Sequence, residues 1–197
     1  MIEWCAVSDS LAALAALAYA AYNERDGHAF YSRIAEHVRD DKGRQMFVGL
    51  AGDEVRHYQL VAAEYVSLKA GGTWLPIDAA MAAAVPPIGE FQAEIESVPG
   101  ASVPSEQLFP KPETVIPALD AGTGDLKAID IALEAERRGY DIYSKAEQRA
   151  SDANAKAVYR LLMTEESKHY EWLQRSRSYL AHDQTYWDET ELPFFEG

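Results

Sequence analysis

Cysteine is nearly absent from this chain: Cys5 is the only one among 197 residues. That excludes a disulfide framework, a zinc ribbon, a four-thiolate rubredoxin centre and any thiolate cluster, and leaves Cys5 as a reduced thiol. Basic residues are scarce too, with 18 Lys and Arg against 32 Asp and Glu and a formal charge of −14. Nucleic acid and anionic membrane surfaces repel a chain of this sign, so neither is expected as a partner. No apolar run reaches the length of about 20 residues that a bilayer demands. The longest candidate, "LAALAALAYAAY" at 11–22, follows Glu3 and Asp9 with no Lys or Arg before Arg25, so it lacks the basic start of a secretory leader. A cytoplasmic protein is expected. Proline is missing from most of the chain as well, because eight of the nine fall within residues 71–121. Long uninterrupted helices are therefore permitted on either side of that stretch.

What is present fills those two permitted regions with helical periodicity. The hydrophobic content of 48% supports a single globular domain. From Ser8 to about Arg39 the apolar residues Leu14, Leu17, Ala21, Tyr31, Ala35 and Val38 keep helical spacing, with Ser8 or Ser10 available as an N-cap. After "DDKG" at 40–43 a second pattern runs through Phe47, Leu50, Val61 and Leu68 to the stop signal Gly71-Gly72. Hairpin one therefore covers about 9–70. Residues 71–121 read as a Pro-rich crossover with short helices such as "DAAMAAAV". Hairpin two covers about 122–181, with one helix from Asp125 to about Ala150, a turn at "SDAN", and another through Leu162, Trp172 and Leu173. The tail at 182–197 is acidic and rich in Trp and Phe, a composition expected to dock on the bundle or a partner subunit.

The two hairpins are copies. "ERDGHAFY" at 24–31 matches "ERRGYDIY" at 136–143, and "DEVRHY" at 53–58 matches "EESKHY" at 165–170, with a constant offset of 112 residues and no gap. Glu24, Glu54 and His57 thus correspond to Glu136, Glu166 and His169, and Tyr31 to Tyr143. Residue 39 lies midway between Glu24 and Glu54, and residue 151 between Glu136 and Glu166, both at expected turns. In an antiparallel hairpin such residues lie level, about 20 Å from the turn at a rise of about 1.5 Å per residue. Each Glu-x-x-His puts its carboxylate and imidazole on one helix face at that level.

A single Glu-x-x-His in a glutamate-rich helical chain is ordinarily a solvated pair. Two in register, each preceded by a glutamate that interrupts an apolar stripe, bring four carboxylates into one core. An unpaired buried carboxylate costs several kcal/mol, which a domain with about 5–15 kcal/mol of stability cannot bear four times. Two divalent cations balance the four charges with neutral imidazoles, and an oxo-bridged ferric pair balances them equally. Carboxylate and imidazole donors suit iron or manganese, while zinc would bind without redox function.

These residues resemble the diiron carboxylate proteins of the ferritin-like superfamily, and within it the rubrerythrin-like group, over residues of about 9–70 and 122–181. The resemblance implies an all-α, ferritin-like four-helix bundle made of two repeated hairpins joined by a long crossover. It also implies two iron ions per chain, with Glu24 and His57 on one, Glu136 and His169 on the other, and Glu54 and Glu166 bridging. Tyr31 and Tyr143 look like the family's phenols that hydrogen-bond ligand carboxylates. The implied activity is reduction of peroxide or dioxygen, with electrons from an external donor such as a rubredoxin or reductase, in a homodimer. A ferroxidase of bacterioferritin type and a non-enzymatic, metal-stabilised bundle are the alternatives. The chain departs from rubrerythrin in lacking the rubredoxin module and in carrying Gly139 where an additional glutamate ligand stands. His28, one turn after Glu24, breaks the repeat against Tyr140, and its expected roles are a proton shuttle, a hydrogen bond to a ligand, an alternative ligand or a packed core histidine. Tyr58 and Tyr170 read as core tyrosines, and His37 and His182 as surface histidines.

Overall fold

The computed structural model describes residues 3–88, 108–120 and 124–183, with side chains from residue 11 onward. Among these residues every regular element is a helix. One hairpin consists of α1 (Glu3–His37) and α2 (Asp41–Lys69); the crossover contributes α3 (Ile77–Ala82), a 3-10 turn at Pro112–Thr114 and α4 (Ile116–Asp120). The second hairpin consists of α5 (Asp125–Arg149) and α6 (Ala153–Asp183). None of these helices is long and apolar enough to cross a membrane. The acidic aromatic tail from residue 184 on, the crossover at 89–107 and the Cys5 thiol lie outside the described residues and side chains.

Both hairpin turns are closed in the same way. The Asp40 carboxylate accepts the backbone N–H groups of Lys42 and Gly43, both at 2.9 Å. Its repeat counterpart Asp152 accepts those of Asn154 at 2.7 Å and Ala155 at 3.1 Å. Each cap satisfies two of the free donors at a helix start, so α2 and α6 begin inside the sequences expected to be turns. At the far end of α2, Gly71 adopts a positive φ of 78°, and the N–H groups of Gly71 and Gly72 return to Leu68 and Ser67. The start of α1 departs from expectation. It begins at Glu3, ahead of Ser8, because no proline or glycine interrupts residues 3–10, so neither Ser8 nor Ser10 is its N-cap.

Two apolar clusters fill the interior. One gathers Phe30, Tyr31, Ile34, Phe47, Leu50, Ile129 and Leu173; the other gathers Leu17, Val61, Tyr65, Val158 and Leu162. Each fully buried Leu or Phe contributes about 1.5–3 kcal/mol. The crossover is part of this core, because Phe109, Val115 and Leu119 enter the first cluster and Ala80 the second. His37, expected at the surface, is half-buried and tied to Asp120 of α4 at 2.8 Å, while His182 is exposed. A layer of carboxylates and imidazoles draws one residue or more from each long helix, with Tyr31 of the first cluster and Tyr143 of the second bonded to it.

Candidate metal centre

All six residues expected as ligands meet in one place: Glu24 from α1, Glu54 and His57 from α2, Glu136 from α5, Glu166 and His169 from α6. None exposes more than 5% of its surface. They fall into two groups, Glu24 with His57 and Glu166, and Glu136 with His169 and Glu54, the ligand atoms within each group lying within 4.8 Å of one another. Each Glu-x-x-His pair is therefore split, its histidine joining one group and its glutamate the other. Glu54 presents Oε2 to His57 Nδ1 at 3.7 Å and Oε1 to His169 Nδ1 at 3.8 Å. That is the disposition a carboxylate needs to bridge two cations. The imidazoles stack between the groups, with ring centroids 5.4 Å apart.

Four atoms in this layer are buried without a hydrogen-bond partner: Glu24 Oε2, His57 Nδ1, Glu136 Oε2 and His169 Nδ1. Buried polar atoms are ordinarily satisfied, so four orphans facing each other need a common partner. His57 Nδ1 lies 3.3 Å from Glu24 Oε2, and His169 Nδ1 lies 3.5 Å from Glu136 Oε2. Donors that each sit about 2.1 Å from one cation are separated by about 3.0–3.5 Å, so the spacing fits two metal ions.

The opposite faces of these ligands are already engaged. Tyr31 donates its hydroxyl to Glu136 Oε1, and Tyr143 donates to Glu24 Oε1, each reaching across to the other hairpin. Both phenols are pushed well above their ordinary pKa by burial and by the neighbouring carboxylates, which keeps them protonated as donors. Only Oε2 of each terminal glutamate is left for a cation. His169 is fixed likewise, its Nε2 meeting Asp53 Oδ2 at 3.1 Å while Asp53 also pairs with Arg56. A carboxylate behind an imidazole sets the tautomer and leaves Nδ1 as the ligand atom. Sequence reasoning does not reach Asp53, although an acidic residue directly before each Glu-x-x-His is the available signal.

Without a cation the four glutamates divide into two classes. Burial pushes Glu54 and Glu166 well above the usual carboxylate range, reinforced by the charges of Glu24 and Glu136 respectively. Burial acts on Glu24 and Glu136 as well, but there it is outweighed. The neighbouring Glu54 carboxyl, the close His57 imidazole and the Tyr143 hydroxyl hold Glu24 down, and the His169 charge with the neighbouring Glu166 carboxyl and the Tyr31 hydroxyl holds Glu136 down. Like charges this close resist joint ionisation, so Glu54 and Glu166 are the carboxyls that hold their protons longer as pH rises.

Two glycines complete the centre. A Cβ at Gly27 would lie 3.1 Å from Glu54 Cδ, and one at Gly139 would lie 3.1 Å from Glu166 Oε2. Helix backbone thus fills the ground where a larger residue would displace these carboxylates, and no additional glutamate stands at Gly139. A surface cavity of about 290 Å³ opens between α5 and α6, with Glu136 and Glu166 in its wall. Tyr170 borders that cavity, whereas Tyr58 is buried and donates to the Pro86 carbonyl at 2.9 Å. His28 is half-buried and its Nδ1 donates to the Ala51 carbonyl at 3.0 Å. No family model, curated protein or solved structure matches the chain.

Proposed function

We propose that the protein is a rubrerythrin-like diiron oxidoreductase of ferritin-like fold, reducing hydrogen peroxide or dioxygen at a carboxylate-bridged metal pair. The observation that carries this reading is the convergence of four partnerless ligand atoms with Glu54 between the two histidines. Two bound iron ions would supply the two electrons that hydrogen peroxide, with two protons, takes up to become two waters. The chain's own residues do the rest. Glu24, His57, Glu136 and His169 would hold the terminal positions, while Glu54 and Glu166 would join the two sites and give up their protons when metal binds. Tyr31 and Tyr143 fix the terminal carboxylates through Oε1, and Asp53 fixes His169 through Nε2. The surrounding apolar clusters keep bulk water from the layer except at the cavity beside Glu136 and Glu166. With one cysteine there is no thiolate centre to relay electrons, so sustained turnover calls for an external donor such as a rubredoxin or reductase.

A ferroxidase, with Fe²⁺ as substrate, is the second reading; the solvent-facing cavity at Glu136 and Glu166 favours it, since such a substrate has to enter and leave. Anaerobic reduction of the iron-loaded protein followed by peroxide separates the two. The oxidoreductase consumes one peroxide per chain and keeps its iron, whereas a ferroxidase releases it. Reduced protein that peroxide leaves unoxidised contradicts the proposal.

A further inference from the structure

The repeat allows the two flanks of the metal centre to be compared residue by residue, and they are covered differently. At the hairpin-one flank, a Cβ on Gly27 would meet Cε2 of Phe109 at 3.0 Å as well as Glu54. Phe109, from the crossover, is buried, with its ring 5.4 Å from Phe30 and 5.3 Å from Tyr31. The same crossover closes over the neighbouring residues of α2. Tyr58 is bonded to the Pro86 carbonyl at 2.9 Å, and the Gln59 amide donates to the carbonyls of Ala83 at 2.8 Å and Ala80 at 3.3 Å.

At the hairpin-two flank the counterparts of those residues are Gly139, Tyr170 and Glu171, and no described part of the crossover lies over them. Tyr170 and Glu171 instead border the cavity of about 290 Å³ that reaches Glu136 and Glu166. Its lining adds the carboxylate of Glu171 to those of Glu136 and Glu166, and its one cation, Arg137, is paired with Glu134 and Asp141, so the balance of charge at the cavity is negative and attracts cations.

We infer that the cavity between α5 and α6 is the route by which a divalent cation enters the centre, and that, among the described residues, Phe109 and the crossover carbonyls shut the equivalent route beside Gly27. The inference rests on the proposed metal centre, and it gives the described crossover a role, that of closing one of two otherwise equivalent flanks. Ser167 lines the cavity, and its counterpart 112 residues earlier is Val55, which is exposed on α2. The pair permits a matched test. Metal-free protein is mixed rapidly with Co²⁺, and both the rate of cobalt absorption and the final stoichiometry are read.

Ser167→Phe, which fills the cavity, is expected to slow uptake by at least about tenfold, because the cation must then wait for the bundle to open. Two cobalt ions per chain are still bound at equilibrium. Val55→Phe is expected to change the rate by less than about twofold. Adding Phe109→Ala to Ser167→Phe opens the second flank and restores fast uptake. Equal rates for Ser167→Phe and the unmodified protein, or equal slowing by Val55→Phe, overturn the route while leaving the metal centre standing. An unmodified protein that binds no cobalt overturns both.

Discussion

The two hairpins share the frame that holds the four glutamates and two histidines, and they differ in several of the residues set around it. The aspartate caps Asp40 and Asp152, the crossed phenols Tyr31 and Tyr143, the clearances at Gly27 and Gly139 and the six ligands all recur. Two contacts of His169 do not recur: Asp53 holds its Nε2, where the second hairpin has Glu165 paired with Lys168, and Trp172 lies 5.9 Å from its ring, where the first hairpin has Leu60. Further out, Glu64 corresponds to Ser176 and His28 to Tyr140, and Phe109 covers one flank only. The recurring set is what two cations require of any scaffold: terminal oxygens held from behind, imidazoles aimed by Nδ1, and space for carboxylates to lie between. The differing set leaves those six residues in place and makes their two groups chemically unequal.

The largest expected effect comes from breaking the shared set at the carboxylates that join the sites. Glu54→Ala and Glu166→Ala should each reduce bound metal from two ions per chain to none, whereas Glu24→Ala or Glu136→Ala should leave about one; elemental analysis checks this. A smaller and again symmetric effect follows from Tyr31→Phe and Tyr143→Phe. Each removes the hydroxyl that holds Oε1 of a terminal glutamate, and competition with a chelator should reveal a loss of about 10–100-fold in metal affinity. Asp53→Asn and Glu165→Gln sharpen the comparison, because their effects should be unequal. The first weakens the hold on His169 and should cost about tenfold in affinity for one metal, while the second should change affinity by less than about twofold.

The smallest effect concerns Glu64, buried in hairpin one where hairpin two has Ser176. Its carboxyl accepts the Leu75 N–H at 2.9 Å but leaves Oε1 without a partner. Burial and the nearby Asp152 push its pKa up to about 7 from an ordinary value of 4.5, against the pull of the Leu75 bond. A folded-state pKa above the unfolded one means that the folded chain holds the proton longer. The stability it contributes is complete below pH 4.5 and is lost as pH rises through 7. Denaturant titrations of metal-free protein should show this fall between those limits, flattened in Glu64→Gln.

The layer of four glutamates and two histidines is legible in the sequence because it is periodic twice over, at three residues along a helix and at 112 residues along the chain. Glutamates at Glu24 and Glu136 stand out against an apolar stripe, and the midpoints at residues 39 and 151 place the turns, which Asp40 and Asp152 close. The contact between Asp53 and His169 is not legible, since it joins α2 to α6, and a single acidic residue on a charged helix carries no sign of which imidazole it will meet. Phe109 is hidden for a related reason. A proline-rich stretch has no periodicity, so nothing in it distinguishes the one aromatic side chain that packs beside Glu54. The early start of α1 at Glu3 is obscured because two serines offer caps that an unbroken helix does not use.

Whether this layer of four glutamates and two histidines binds two metals as one coupled unit is tested most directly by anaerobic titration of metal-free protein with Fe²⁺, followed by oxidation and an optical spectrum with elemental analysis. Two irons per chain are expected, with charge-transfer absorption of a bridged ferric pair after oxidation and joint loss of both irons in Glu54→Ala. One iron per chain, or two that Glu54→Ala leaves in place, would contradict a coupled centre.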